Sequence, residues 1–241
     1  MNLRRTLLTL RRIMQQLRHD PRTVALLLVV PSALVGLLAW SLQNRPGNFD
    51  VLGPRLLGIF PLTVMFLVTS VTTLRERTNG TLERLLTMPL AKGELILGYA
   101  GAFALVAIVQ SALVSTLSYT WYGLSHQGIP WRVSVVALCA GLLGTSFGLA
   151  LSALATTEFQ AVQFMPAFIL PQLLLCGLMV PVAQLPDALR YVADVLPMTA
   201  AVHAIDANQS TTYYGAQFAI MVGYIGAALV VGSTTLRRRT K

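Results

Sequence analysis

The stretch that decides the fold is Val133–Ala155, which reads VSVVALCAGLLGTSFGLALSALA and contains no charged residue. A run of about 20 apolar residues is long enough to cross a bilayer as a helix. Lipid cannot satisfy a broken backbone, so such runs are expected to be helical. The sequence therefore predicts an all-α membrane protein with six transmembrane helices, the other five being Val24–Leu42, Leu56–Leu74, Leu95–Leu124, Val162–Val180 and Gly215–Leu236.

The overall composition agrees with lipid as the solvent. Of the 241 residues, 55% are hydrophobic and only 11% are charged, whereas a soluble domain carries about 25% charged residues. This balance excludes a large catalytic domain outside the membrane, and it excludes intrinsic disorder, which needs low hydrophobicity. Cys139 and Cys176 lie inside apolar runs without a metal-ligand spacing, so neither a metal site nor a disulfide is predicted.

The basic residues predict the orientation of the chain in the membrane. The net charge is +9, and fourteen of the 18 Lys and Arg lie in the N-terminus, the loop 75–94 and the C-terminus. The positive-inside rule therefore places both termini in the cytoplasm. Trp40, Trp121 and Trp131 then fall at the outer ends of spans, where interfacial aromatics are expected. The prediction is a multi-pass protein of a bacterial cytoplasmic membrane that binds lipids and no nucleic acid.

Residues 1–22 are predicted to form an N-terminal interfacial helix, separate from the six-helix domain 23–241. Its leucines recur at helical spacing while arginines occupy the other side, so one face would enter the acyl boundary and the other would meet anionic headgroups. Asp20 and Pro21 are expected to end this helix. The residues that make the apolar face are Leu3, Leu7, Leu10, Met14 and Leu17.

The longest cytoplasmic loop, residues 75–94, contains a segment of about two helical turns that Pro89 would end. Its leucines share one face, and a charged pair lies beside them. A helix this short is not stable alone and needs a surface to pack on. The segment therefore predicts docking on a partner protein through Leu82, Glu83, Arg84, Leu85 and Leu86.

Two stretches of the chain resemble the ABC-2 type permeases, the membrane subunits of one class of ABC exporters. The first runs through the cytoplasmic loop as Arg75-Glu76, Gly80-Thr81-Leu82-Glu83, Leu86 and Pro89. The second lies between the fifth and sixth spans as Met179-Val180-Pro181, Leu185-Pro186 and Leu196-Pro197-Met198-Thr199. Together with the predicted spans and N-terminal helix, the resemblance covers nearly the whole chain.

The resemblance implies a set of roles. The segment 81–88, including Thr81, would be a coupling helix on a separate ABC ATPase, and Glu158 in the next cytoplasmic loop would make a second contact. The outer segment 181–207 would form re-entrant helices. A second copy or a sister permease would complete the pair, and ATP and Mg²⁺ would bind the ATPase. The implied candidates for a substrate path are Phe60, Met65, Thr69, Gln163, Phe168 and Gln172.

The chain itself shows no phosphate-binding loop. A Walker A loop needs Gly before its Lys, but Lys92 and Lys241 follow Ala91 and Thr240. The prediction is therefore a non-enzymatic permease subunit, without catalytic residues or a bound cofactor, of an ATP-driven exporter. No charged residue lies deep in a span, which favours a lipophilic drug-like molecule or a lipid as cargo. A polysaccharide or polymer exporter is the alternative within the family.

A different class of function stays open at Ser146. Gly144-Thr145-Ser146-Phe147-Gly148 matches the G-x-S-x-G pattern of hydrolases, in which the serine sits on a strand-to-helix elbow. Here the pattern lies in the middle of a predicted span, where Gly141, Gly144 and Gly148 predict a face for close helix packing. An intramembrane serine hydrolase and an assembly scaffold without transport are thus the alternatives from other classes.

Overall fold

The computed structural model describes residues 3–44, 46–81, 92–125, 129–209 and 211–235, and every regular element in these ranges is helical. Two 3₁₀ turns lie in the last quarter of the chain, at Val182–Gln184 and Ala207–Gln209. The α-helices in these ranges are α1 (Leu3–His19), α2 (Pro21–Ser41), α3 (Pro46–Thr78), α4 (Lys92–Thr120), α5 (Pro130–Ser152), α6 (Glu158–Leu175), α7 (Asp187–Asp194), α8 (Pro197–Asp206) and α9 (Thr211–Thr235).

Five helices in the described ranges are long and apolar enough to cross a membrane, and they are α2, α3, α4, α5 and α9. The predicted span Val162–Val180 corresponds to α6, which is not among these five. This helix begins four residues earlier than expected and ends at Leu175. Gly177 follows with φ of 89°, a left-handed conformation that glycine adopts without steric cost and that stops the helix. The structure therefore supports five of the six predicted spans by length and composition.

The break between α1 and α2 lies where the sequence predicts it. Asp20 is the N-cap of α2, and its carboxylate accepts hydrogen bonds from Thr23 N at 3.2 Å and Thr23 Oγ1 at 2.6 Å. Pro21 occupies the first turn, where its missing N–H costs nothing. The same two residues thus end one helix and start the next.

The N-terminal helix α1 packs against the beginning of α4. Thr9 of α1 lies over Gly98 and Leu10 lies over Gly101, so the two backbones approach closely. Ile13 and Leu17 are buried in the same contact. Leu10, Met14 and Leu17 of the predicted lipid-facing surface therefore pack within the protein, whereas the other two leucines of that surface, Leu3 and Leu7, are exposed.

The tightest contact of the bundle joins α3 and α5 and depends on glycine. A Cβ at Gly144 would clash with the Leu62 carbonyl oxygen, and a Cβ at Gly148 would lie 2.6 Å from the Phe66 carbonyl oxygen. Real Cβ atoms essentially never come this close to another heavy atom, so neither glycine can carry a side chain without a shift of the backbone. The predicted small-residue packing face is confirmed, since glycine is what lets the two backbones touch.

The backbone hydrogen bond that a proline removes from α2 is replaced by a hydrogen bond from a side chain of α4. Pro31 has no N–H, so the Leu27 carbonyl oxygen lacks its helical donor. Gln110 of α4, which is fully buried, donates to this oxygen through Nε2 at 3.0 Å. The bond fixes the position of α2 against α4.

Candidate functional site

An ion pair joins the end of α3 to the start of α6. Arg75 donates to Glu158 through Nε and Nη2, each at 2.9 Å, in the parallel arrangement that suits a guanidinium and a carboxylate. The hydrogen bonds from Arg75 lower the pKa of Glu158. Glu158, predicted as a coupling contact, therefore lies beside the helix that leads into the loop 75–94.

A second polar cluster holds α1, α3 and α4 together at the same end of the bundle. Arg12 Nη2 lies 2.9 Å from Glu76 Oε2 and donates to Tyr99 Oη at 2.9 Å. The Glu76 side chain is only 8% exposed, so its carboxylate meets Arg12 in a largely buried ion pair. The residues are far apart along the chain, and no spacing in the sequence indicates their contact.

Most of the predicted coupling residues lie outside the described residues. These are Leu82, Glu83, Arg84, Leu85 and Leu86. Thr81 is described and is half-buried, directly after Gly80, whose φ is 69°. The helices on both sides of this segment carry buried carboxylates near their ends, Glu76 on α3 and Glu94 on α4.

Three of the predicted path residues lie on α3 and are mostly covered within the protein. Met65 and Thr69 have no exposed surface. Phe60 is half-buried and packs against the cluster that includes Val35 and Leu57. In the single chain, the α3 candidates therefore face neighbouring helices.

The other three path residues lie on α6 in three different environments. Gln163 is exposed. Phe168 is half-buried and stacks on Phe66 with ring centroids 5.4 Å apart. Gln172 is buried, and its Oε1 accepts a hydrogen bond from the backbone N of Met198 in the first turn of α8 at 3.3 Å. Gln172 thus links α6 to the segment 181–207.

The segment 181–207 is anchored near its C-terminal end by a further ion pair. Arg55, near the start of α3, donates to both carboxylate oxygens of Asp206 at 2.9 and 3.0 Å. The same guanidinium donates to the Gly177 carbonyl oxygen at 3.2 Å. Between these anchors α8 is buried along nearly its whole length. Sequence reasoning missed Arg55 and Asp206, because 151 residues separate them.

An open groove runs between α2 and α3 with α6 along one side, and we call it the α2–α3 groove. Its volume is about 290 Å³. Apolar side chains make most of its surface, and polar side chains are confined to one end. The lining residues are Thr23, Leu26, Leu27 and Val30 of α2, Val64, Leu67, Val68, Val71, Thr72 and Arg75 of α3, and Val162 of α6.

Ser146 does not have the surroundings of a hydrolase nucleophile. It lies inside α5 rather than on an elbow, it is 2% exposed, and its hydroxyl donates to the Leu142 carbonyl oxygen at 2.8 Å. This back-bond is the ordinary state of a serine within a helix. In the described part of the chain, no group of three or more His, Cys, Asp or Glu is placed to hold a metal ion.

These features define a multi-pass helical membrane protein. The family described as ABC-2 type transporter matches residues 4–210. The chain is 28% identical over 182 residues to the probable multidrug ABC transporter permease YbhR of Escherichia coli K12, covering 76% of this chain and 49% of that protein. It is 28% identical over 176 residues to nodulation protein J of Rhizobium meliloti, covering 68% of this chain and 64% of that protein.

A eukaryotic relative extends the comparison. The chain is 23% identical over 156 residues to ABC transporter G family member 20 of Dictyostelium discoideum, covering 65% of this chain and 21% of that protein. The chain thus matches about half of the YbhR permease, and a smaller part of this longer relative. The family match spans most of the chain, so the chain belongs to the ABC-2 type transporter family.

Proposed function

We propose that this chain is the permease subunit of an ATP-driven exporter that moves a lipophilic drug-like molecule or a lipid out of the cell. The observation that carries the proposal is the family match over residues 4–210. The proposal includes six spans, with α6 as the fifth, both termini in the cytoplasm of a bacterial cell, and a dimer of permease subunits. It also includes α1 at the membrane interface, and re-entrant helices α7 and α8.

In this proposal the cytoplasmic loop and Glu158 transmit the motion of the ATPase. Closure of the ATPase on ATP would move the segment 81–88, and the Arg75–Glu158 pair would carry the movement from α3 to α6. Of the candidate path residues, Gln163 supports a role at the surface between two permeases, because it is exposed within the apolar stretch 161–171 of α6.

The ATPase partner is tested by tagging the chain in its native host and identifying the proteins that co-purify. We expect a stoichiometric ABC ATPase from the wild type and loss of transport in Glu83→Lys. Asp187→Lys makes the same charge reversal at the start of α7 and is expected to retain the ATPase. Full transport by Glu83→Lys would contradict the coupling assignment.

The orientation is tested by labelling intact cells with a membrane-impermeant maleimide. Both native cysteines are buried, so the background is low. Ser125→Cys, at an exposed position, is expected to label from outside. Gln16→Cys, at an exposed position on α1, is expected to label only after lysis, and the reverse pattern would overturn the orientation.

A further inference from the structure

Three hydroxyl side chains form a row along the second half of α4. Ser111, Ser115 and Tyr119 follow one another at intervals of four residues, so they share one face of the helix. Ser111 and Ser115 are 3% and 5% exposed, and the hydroxyl oxygen of Tyr119 is buried as well. Within the described residues none of the three hydroxyls has a hydrogen-bond partner. We call these side chains the α4 hydroxyl row.

The usual partner of a buried serine in a helix is its own backbone. Such a serine donates to the carbonyl oxygen four residues earlier, and Ser118 on this same helix donates to the Val114 oxygen at 2.8 Å. Ser32 of α2 and Ser146 of α5 make the same kind of bond. The α4 hydroxyl row does not make it. Because a buried hydroxyl without a partner lowers stability, the row is expected to bind partners that do not belong to its own helix.

Further acceptors lie beside the row. Gln110, next to Ser111 on α4, donates through Nε2 to α2, but its Oε1 is buried without a partner in the described part of the chain. On α3, Pro61 has no N–H, so the Leu57 carbonyl oxygen lacks its helical donor. Leu57 is buried in the cluster against which Tyr119 packs. The row is therefore bordered by acceptors from two helices.

The spacing of the row fits single water molecules. Four residues of an α-helix rise about 6 Å, and one water that bonds two hydroxyls spans two O–H···O bonds, or about 5.6 Å. One water can therefore bond both Ser111 and Ser115, and a further water can continue to Tyr119. A buried water makes about three hydrogen bonds, which Gln110 Oε1 or the Leu57 carbonyl oxygen can complete. An apolar ligand would leave the hydroxyls unpaired, and an ion would meet no charge on the row.

We propose that the α4 hydroxyl row binds a file of ordered waters, which enters the bundle beside Tyr119 and ends at Gln110. Gln110 lies ten residues before Thr120, the last residue of α4, which corresponds to about 15 Å. The hydrocarbon core of a bilayer is about 30 Å thick, so the file reaches about its middle, and in the orientation proposed above it enters from outside. The site lies within one chain and its ligand is water, so the inference does not depend on the proposed export function.

The test measures the reaction of introduced cysteines with Ag⁺, a cation that needs a hydrated path and binds the thiolate. The full-length chain in nanodiscs carries Ser115→Cys or Ser111→Cys, and both native cysteines are buried, so the background is low. Cysteines that have not reacted are labelled with maleimide after denaturation and identified by peptide mass. Ser146→Cys on α5 is the matched control, because Ser146 is also buried but is bonded to its own helix.

Both row variants are expected to react at least about tenfold faster than Ser146→Cys, because a thiol that contacts water can ionise and one in an apolar contact cannot. Reaction of Ser115→Cys at the rate of Ser146→Cys would overturn the file of waters. Reaction of Ser115→Cys without reaction of Ser111→Cys would overturn its extension to Gln110.

Removal of a hydroxyl gives a second test, whose sign separates water binding from an unpaired group. Ser115→Ala removes hydrogen bonds to water and is expected to lower the folding equilibrium constant about fivefold relative to Ser146→Ala. Both variants change helix propensity equally, so chemical unfolding in detergent reports the partner of the hydroxyl. A Ser115→Ala protein as stable as Ser146→Ala, or more stable, would overturn the proposal. Neither test needs an ATPase, so a failure here leaves the exporter proposal to the co-purification experiment.

Discussion

At the scale of single residues, the contact between α3 and α5 depends on the absence of a side chain. Gly144 and Gly148 bring the backbone of α5 onto carbonyl oxygens of α3. Lipid provides no hydrophobic force between helices, so close van der Waals contact supplies much of the association. The sequence predicted this face from glycine spacing alone, because small residues at such intervals have few other uses in a span.

Replacement of Gly144 by Ala is expected to destabilise the protein by about 1–3 kcal/mol, since the new Cβ must push α3 away. Gly226→Ala is the matched control, because nothing lies within 4 Å of a Cβ at that position on α9. The measurement is the midpoint of thermal unfolding in detergent. Equal midpoints for the two variants would contradict the tight contact.

A pH dependence is expected from Glu158, whose pKa is lowered from its ordinary value of 4.5 by the hydrogen bonds from Arg75. Because the folded protein holds the carboxylate more strongly than the unfolded chain, the stabilisation is present above pH 4.5 and is lost as the pH falls through the lowered pKa. The wild type should lose stability relative to Glu158→Gln on acidification. Parallel curves for the two proteins would show that the pair contributes nothing.

At the scale of helices, the apolar runs predicted where spans lie but not where helices end. The termini of α2, α4, α5 and α9 fall within four residues of the predicted spans. In contrast, α3 begins at Pro46 rather than Leu56, because a helix continues through polar residues that hydropathy excludes. The ends of α6 are determined by Thr157, whose side chain caps Gln160 N, and by Gly177. The Thr157–Gln160 spacing is itself a capping signal.

The bond between Gln110 and the Leu27 carbonyl predicts a coupled pair of substitutions. Gln110→Leu should lower the free energy of unfolding by about 1 kcal/mol, because it leaves a buried carbonyl without a donor. In a Pro31→Ala background the N–H of residue 31 can bond that carbonyl, so Gln110→Leu should then cost much less. Chemical unfolding of the four proteins measures the coupling, and strictly additive effects would argue against it.

At the scale of the whole molecule, one end of the bundle is held by ion pairs between distant parts of the chain. Arg12 and Glu76 are 64 positions apart, and Arg75 and Glu158 are 83 positions apart. Periodicity and motif spacing report only neighbours along a helix, so these contacts were not predictable from one sequence. For the same reason the predicted path residues could be assigned to helices but not to the surfaces those helices share.

The attachment of α1 to the bundle can be tested by removing the Arg12–Glu76 ion pair. Arg12→Met should destabilise the protein by about 3 kcal/mol, because Glu76 would remain buried without its partner. The double variant Arg12→Met with Glu76→Met removes both charges and should be more stable than either single variant. Thermal unfolding in detergent measures the order. A double variant that is the least stable of the three would rule out the explanation by an unpaired charge.

The long separation in sequence between Arg55 and Asp206 also determines when their ion pair can form. The ribosome makes Arg55 first and reaches Asp206 only 151 residues later. At about 5–20 residues per second this takes roughly 8–30 s. During that interval the arginine is without its carboxylate, and α8, which it will hold, does not yet exist. The Arg55–Asp206 ion pair therefore forms only in the last stage of synthesis. A chain truncated before residue 206 would enter the membrane without this ion pair at that end of the bundle.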